Sequence, residues 1–594
     1  MDLRSELDTT WVAAGGYGLL LALTVVLWRT PAASVYEISI YDAYPWYFWL
    51  LACLTIIVGV VVIVRSAASG TLDWVYGLGL LLSVVTLILL LPYFRGYVTF
   101  GRADVVTHIG FIRDIQRTAA VSQGNIYPNF HLLVLTLSYA TGLSPATTIT
   151  SGGAIGSLFG IGSFFVLVTE LFDRRKALLT VPFAIVMVAP QSVPYLFSTL
   201  LLPFVLYLLV KQWKTRAVHV RGILAVALFA LVIYHPITTL FVVFIFGIYG
   251  VARLTHRYRV FETATDRDQD PMGAVPAAQL LISVFAVWYL DFAKIAERFA
   301  IVIENLTSPG GGGSPVAQYS STVSQYTPAL VDVVRILLVR YGQSAVLLSL
   351  GGLYSLVFLY TAVRERRPTD VFQSTFVSAF VVFFGLSVLF FFVDLIVGFG
   401  RPLLYAELFG ALLAGSVFSS LLRYTDHRSL VHGLLYTSVA LLVVCSVFGL
   451  YTSPYSIGEN QQVTRAELEG TEWFLENRDT QDDLAEFGID TYRFRDAVYG
   501  RETFSEDKVV SSDTAAIPPH FSYETNATLG SSYERDTYVV VTRAGRIFYE
   551  KIYPGYRQFW KFESADFQRL SRDRTVSLVY DNGGYTVYRA NATG

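Results

Sequence analysis

Residues 95–131 read RGYVTFGRADVVTHIGFIRDIQRTAAVSQGNIYPNFH, a polar stretch between apolar runs of membrane-spanning length. Within it Val105, Ile109, Ile112 and Ile115 recur at helical spacing, which predicts an amphipathic helix over 104–117 lying at a membrane surface. Asp104 and His108 stand four residues apart and share one face of that helix. A second cluster, NIYPNFH, brings Tyr127 and His131 to the start of the next segment. A carboxylate and an imidazole fixed at a membrane–water boundary can accept a proton or grip a polar head group. The apolar run 132–143 is too short to cross a bilayer alone and reads as a re-entrant or juxtamembrane helix.

The rest of the chain agrees with a membrane setting. Of 594 residues, 54% are hydrophobic, 15% aromatic and 15% charged, and the mean hydropathy is +0.50, values of a polytopic membrane protein. About thirteen spans are expected, near 10–28, 46–64, 73–93, 146–171, 177–193, 197–211, 221–235, 237–253, 274–290, 343–363, 371–393, 403–422 and 430–451. The Lys/Arg bias of the short loops places the N-terminus in the cytoplasm and the loop 94–145 outside. Everything from Thr452 onward falls outside too. The sequons at Asn305, Asn526 and Asn591 all lie in segments of external parity, as N-glycosylation would require. The N-terminal apolar run is a full span without a small-residue cleavage site and reads as an anchor. Cys53 and Cys445, far apart inside spans, argue against a disulfide framework or a zinc site. The net charge of −2 points to no nucleic-acid partner.

Two parts are therefore expected: a transmembrane domain over 1–452 and an extracytoplasmic mixed α/β domain over 453–594. The latter carries 16 Lys/Arg against 23 Asp/Glu. It opens with a helical stretch at 464–477, and strands are expected at 537–542 and 575–580. A turn at Asp581-Asn-Gly-Gly then leads to a last strand at 585–588, forming a hairpin. The acidic domain and the preference for Arg, with only seven Lys in the chain, suit a salt-adapted archaeon.

Asp104 heads the candidate residues. It can act as a general base, hold a divalent metal such as Mg or Mn through oxygen ligands, or simply cap its helix. His108 can bind a phosphate or orient Asp104. Tyr127, His131 and His235 reach the same outer boundary, with Pro236 breaking the chain after the last. Arg401 opens a late span from outside, where a guanidinium can grip a phosphate bidentately. Arg335 and Arg340 are further candidates, although Arg335 can pair with Asp332. Arg113 and Asp114 read as ordinary solvated charges. The long segment 291–328 contains an amphipathic stretch over 291–305. It continues into SPGGGGSP, which reads as a flexible hinge or lid.

The segments GRADVVTH, YPNFHLL, GLSP, LFDRRKALL and GRPLLYAE together resemble archaeal and bacterial members of the GT-C superfamily of membrane glycosyltransferases. The likeness covers roughly 90–450 in architecture and only short patches in sequence. It implies sugar transfer outside the cytoplasm, of inverting type, from a polyprenyl (dolichyl) phosphate carrier to a glycan, lipid or protein acceptor. On that likeness Asp104 corresponds to the loop carboxylate, and Arg401 takes the lipid phosphate. No Asp-x-Asp accompanies Asp104, and the WWDYG signature of oligosaccharyltransferases is missing, which favours transfer of a single sugar. A lipid or glycan transporter and a non-catalytic envelope scaffold are the other classes the chain could serve.

Overall fold

The computed structural model describes residues 3–258, 274–290, 292, 297, 300, 329–364, 369–393 and 397–593. The glycine-rich run, Asn305 and most of the stretch 291–305 lie outside the described residues.

The chain begins with α1 (Leu3–Arg29), α2 (Trp46–Ser69) and α3 (Trp74–Leu89). A short turn, α4 (Leu91–Phe94), and strand β1 (Thr99–Phe100) lead into the helices of the polar loop, α5 (Asp104–Thr118) and α6 (Pro128–Thr141). Pro128 sits in the first turn of α6, where its missing N–H costs nothing, and Gly142 ends the helix at φ 73°. The next helix, α7 (Pro145–Leu171), is capped by Ser144, whose side chain accepts from the Thr147 N–H.

After α8 (Arg174–Thr180) the apolar helices are α9 (Pro194–Leu200), α10 (Leu202–Thr215), α11 (Val218–Tyr234), α12 (Pro236–Arg257) and α13 (Ala274–Tyr289). Four more follow: α14 (Leu330–Val363), α15 (Val371–Phe392), α16 (Gly400–Tyr424) and α17 (Arg428–Gly449). Among the described residues nine helices are long and apolar enough to cross a membrane, with α9 and α10 forming one of them, and three shorter apolar helices lie at other expected spans.

The expected span 177–193 is not a regular helix. It passes from α8 into a 3₁₀ turn, Val181–Met187, and then into extended chain before Pro194. Pro182 and Pro190 each remove a backbone donor. The segment runs back along α7: a Cβ at Gly153 would lie 2.7 Å from the Ala189 carbonyl, and one at Gly160 would lie 3.3 Å from Met187. Ser157 of α7 accepts from the Ala189 N–H at 2.9 Å. Val181 through Met187 are all buried, the condition under which irregular backbone is tolerated at membrane depth.

The C-terminal unit contains β2 (Gln462–Val463), α18 (Arg465–Asn477), β3 (Asp483–Phe487), α19 (Thr491–Tyr499), β4 (Thr537–Thr542), α20 (Arg543–Ile552), α21 (Ser564–Leu570), β5 (Val576–Asp581) and β6 (Tyr585–Ala590). Its four-stranded sheet has the order β3-β4-β6-β5, with β3 parallel to β4 and the other pairs antiparallel. The hairpin and the strand at 537–542 stand where the sequence placed them. Strand β3 was not anticipated.

This unit is stitched to the polar loop. Strand β1 pairs with β2, Thr99 opposite Val463 and Phe100 opposite Gln462. Buried Arg102 donates to the Gln462 carbonyl at 2.7 Å, to Glu467 Oε1 at 2.7 Å and to the Gly488 carbonyl at 2.6 Å. The apolar face of α5 is spent here rather than on lipid, which corrects the expected membrane-surface helix. Val105, Val106, Ile109, Ile112 and Ile115 share a core with Phe130 of α6, Phe474 of α18, Phe494 of α19 and Val540 of β4. Burial of each such aliphatic side chain contributes about 1.5–3 kcal/mol relative to exposure. Asp114 is likewise no solvated charge: it is buried and accepts from the backbone N–H groups of Arg501, Glu502 and Thr503 and from the Thr503 hydroxyl. Arg113 donates to the Val498 carbonyl.

Candidate functional site

Helix α5 delivers Asp104 and His108 to one side of a cavity of about 650 Å³. Thr107, Phe111 and Tyr127 join them, and Arg495, Arg501, Glu502 and Phe504 close it from the C-terminal unit. Asp104 is the first residue of the helix, and its side chain makes no cap hydrogen bond. Instead it accepts from Arg493 of α19 at 2.8 Å, with the carboxylate 72% exposed and the guanidinium 22%.

His108 is nine-tenths buried, and its Nδ1 lies 3.0 Å from Nε2 of His131. The Nδ1 of His131 lies 2.8 Å from Oδ1 of Asn125. Burial pushes the His108 imidazole down to about 4, with Arg493 adding to the shift and Asp104 opposing it. Burial also holds His131 well below the usual imidazole range, helped by His108. Both rings are therefore neutral near pH 7.

The remaining candidates continue the row toward the membrane part. His235 stands where α11 ends and α12 begins, in extended backbone ahead of Pro236. It stacks on Tyr127 with ring centroids 5.6 Å apart and 12° between planes. On its other side it meets Tyr195 edge-on at 5.3 Å. The Arg401 guanidinium lies over the Tyr195 ring at 5.1 Å. Tyr195 was not anticipated; its signal is the sequence PQSVPY, in which Pro190 and Pro194 break the chain and start α9 at that point. Among the described residues Arg401 makes no ion pair or hydrogen bond, and Nδ1 of His235 is buried without a partner.

Six of the expected residues, Asp104, His108, Tyr127, His131, His235 and Arg401, thus form one array. Arg335 and Arg340 do not join it: Arg335 pairs with Asp332 at 3.0 Å, and Arg340 is exposed beside Tyr341. The array's other end came from residues the sequence reading passed over. Arg495 donates to Oδ1 of fully buried Asp496 at 2.6 Å and 3.2 Å, and Arg501 donates to Oδ2 at 3.0 Å. One carboxylate thus fixes two guanidinium groups, and burial pushes that carboxyl up against their pull. The available clue was YRFRDAVYGR, three arginines within nine residues of an otherwise acidic unit.

Among the described residues no three His, Cys, Asp or Glu side chains gather to hold an ion, and Asp104 is engaged with Arg493. Of the two surviving sequons, Asn526 and Asn591 are both exposed on the C-terminal unit.

No protein-family model matches the chain, and no curated protein matches it. Solved structures are similar in backbone. The Archaeoglobus fulgidus oligosaccharyltransferase AglB, in complex with an inhibitory peptide and a dolichol-phosphate, aligns at TM-score 0.47 and 12% identity, covering 86% of this chain and 74% of that one. The same organism's oligosaccharyltransferase in complex with Zn and sulfate aligns at 0.44 and 13%, covering 86% and 73%. ArnT from Cupriavidus metallidurans, bound to undecaprenyl phosphate, aligns at 0.46 and 11%, covering 87% and 98%. These proteins belong to the GT-C class that the sequence motifs resemble, although identities of 11–13% say nothing about which side chains act in this chain.

Proposed function

We propose that the chain is a membrane glycosyltransferase that moves one sugar from a polyprenyl phosphate, such as dolichyl phosphate, to an acceptor on the outer membrane face. The observation that carries this reading is the unbroken array from Arg401 through Tyr195, His235 and Tyr127 to His108 and Asp104. Arg401, without an ion pair among the described residues, stands at one end, and Asp104 and His108 line the cavity at the other. A sugar joined through phosphate to a polyprenol leaves behind a lipid phosphate, so negative charge grows on that oxygen as the bond breaks. Arg401, which makes no ion pair or hydrogen bond among the described residues, can stabilise it, with Nδ1 of His235, also without a partner among them, on the same row. Asp104 and His108 border the space where an acceptor meets the sugar.

An apolar groove of about 1110 Å³, lined by α12, α14 and α15, suits the carrier's hydrocarbon chain. Phe241 and Phe383, chain neighbours of the helix residues that line it, pack on Tyr405, one turn along α16 from Arg401. The cavity above, roofed by the C-terminal unit, receives a glycan, lipid or protein acceptor.

This reading requires the N-terminus and the loop after α7 to be cytoplasmic, with the C-terminal unit outside. Labelling of single cysteines in intact cells should reach position 104 and spare position 216; the reverse pattern would overturn it. Deletion of the gene, followed by mass spectrometry of surface glycans and lipid-linked sugars, tests the activity itself. One sugar should vanish from the glycans while its lipid-linked form accumulates. Unchanged glycans and carriers would sink the proposal.

A further inference from the structure

The cavity holds three groups able to take a proton from an acceptor, Asp104, His108 and Glu502, and a hydrogen-bond chain behind His108 sets it apart from the two carboxylates. We infer that His108 is the base, acting through Nε2, and that His131 and Asn125 are positioning residues that fix its tautomer. The inference rests on the transferase reading and assigns the proton-transfer step within it.

The tautomer follows from one backbone donor. The Tyr127 N–H points at Oδ1 of Asn125 at 3.2 Å, so the amide presents its oxygen, not its nitrogen, on that side. The same oxygen faces His131 Nδ1, which must carry the hydrogen. A neutral His131 then offers a lone pair at Nε2, and His108 Nδ1 must donate to it. The only lone pair left on the His108 ring is at Nε2, which makes no hydrogen bond among the described residues and belongs to a ring that lines the cavity. The rings are held in place: Phe111 stacks on His131 at 5.2 Å, and Phe130 and Tyr127 meet His108 at 5.4 Å and 6.0 Å.

The charged and titratable groups around His108 favour this role. Asp104 on its own helix stabilises an imidazolium, while Arg493 from α19 opposes it, and a neutral His131 from α6 accepts from Nδ1. His235, between α11 and α12, also feels the charge on His108. One oxygen of Asp104 accepts from Arg493 at 2.8 Å, whereas Nε2 of His108 makes no hydrogen bond among the described residues. A phosphate arriving near Arg401 and His235 adds negative charge and raises the proton affinity of His108 when the donor is bound. The acceptor hydroxyl loses its proton to Nε2 as its oxygen bonds the anomeric carbon. The carbon–oxygen bond to the carrier breaks, and its electron pair leaves with the lipid phosphate. The imidazolium then returns its proton to water.

Two measurements on the full-length protein in lipid nanodiscs or native membranes test the inference. The first is solid-state NMR of the ¹⁵N-histidine-labelled chain at pH 7, with His108 assigned by its loss in His108→Gln. The expected result is a proton on Nδ1 of both His108 and His131, with His131 released to a tautomer mixture in Asn125→Leu. A proton on Nε2 of His108 in the parent would overturn the inference. The second is the pH profile of sugar transfer in membranes of a deletion strain carrying each variant. Asn125→Asp keeps the acceptor oxygen but adds a charge, so it should retain transfer with the acidic limb moved up by about one pH unit. Asn125→Leu should lose about tenfold or more. An Asn125→Asp profile superimposed on the parent's rejects the relay. Parent membranes without any transfer reject the transferase reading instead, leaving the NMR result to stand on its own.

Discussion

The two ends of the array are built on opposite terms. At the cavity end almost every charge already has a partner within the protein: Asp104 has Arg493, and Arg495 and Arg501 share Asp496. Asp114 accepts four hydrogen bonds, and Arg102 is paired with Glu467. At the other end the contacts are between rings: among the described residues Arg401 has the face of Tyr195 and no ion pair or hydrogen bond, and His235 keeps a buried nitrogen without a partner. A buried polar group left without a partner is costly. The difference therefore separates architecture from chemistry. Satisfied charges hold the roof in place, and on the proposed function the unsatisfied ones are where a substrate would complete the protein.

The largest expected effect tests whether Asp104 and His108 belong to the chemistry or to the roof. Asp104→Asn keeps a side chain that can accept from Arg493 but removes the charge that stabilises a protonated His108. Transfer should fall about a hundredfold with folding intact. Arg493→Ala, which breaks the same contact from the other side, should cost less. Equal losses in the two variants would return Asp104 to architecture.

Arg401 comes next. Arg401→Ala should weaken binding of free polyprenyl phosphate and lower turnover tens-fold, on the scale of about 2 kcal/mol for a charge-assisted contact. Arg401→Lys, which keeps the charge but loses the fork, should fall between Ala and the parent. Normal binding by Arg401→Ala would make the guanidinium a snorkelling anchor.

Asp114→Ala tests the roof alone. Four donors would lose their acceptor, and each buried donor left unsatisfied costs about 1–3 kcal/mol. The melting temperature should drop sharply and the C-terminal unit should become sensitive to protease, while the affinity of the intact fraction for polyprenyl phosphate stays unchanged.

A smaller effect follows from the two buried imidazoles. Their folded-state affinities lie below the ordinary value near 6.5, so between about pH 6.5 and 4 the unfolded chain binds more protons, and stability falls as pH falls. Melting temperatures at pH 7 and pH 5 should differ more for the parent than for His108→Gln. The smallest effect is expected at Arg335: its partner is a solvent-accessible Asp332, and Arg335→Ala should leave transfer within a factor of two.

Much of this was legible in the sequence because periodicity and punctuation are local. Helix α5 was expected over 104–117 and runs over 104–118, and the Asp581-Asn-Gly-Gly turn fixed the hairpin. The site residues on the membrane side were legible because each sits at a helix start or break marked by proline or by an outward-facing charge. Other features needed tertiary structure. Hydropathy cannot separate a helix from apolar chain whose broken backbone is satisfied by its neighbours, so 177–193 read as a regular span. Strand β3, with Asp483 and Glu486 flanking two buried positions, lacks a clean alternation. Asp114 looked solvated because its partners, residues 501–503, are nearly four hundred residues away. The same distance hid Arg493, Arg495 and Arg501.

That distance has a consequence for how the protein is made. The β1–β2 pair and the Arg102–Glu467 clamp join residues near position 100 to residues beyond 460, so neither can form until those later residues have left the ribosome. Contacts of such long separation form late and slowly. During synthesis α5 must wait with its valines and isoleucines exposed beside the bilayer, lying against lipid until the last domain arrives to lift it away. A chain stopped before residue 460 should therefore carry a lipid-associated loop and no closed cavity.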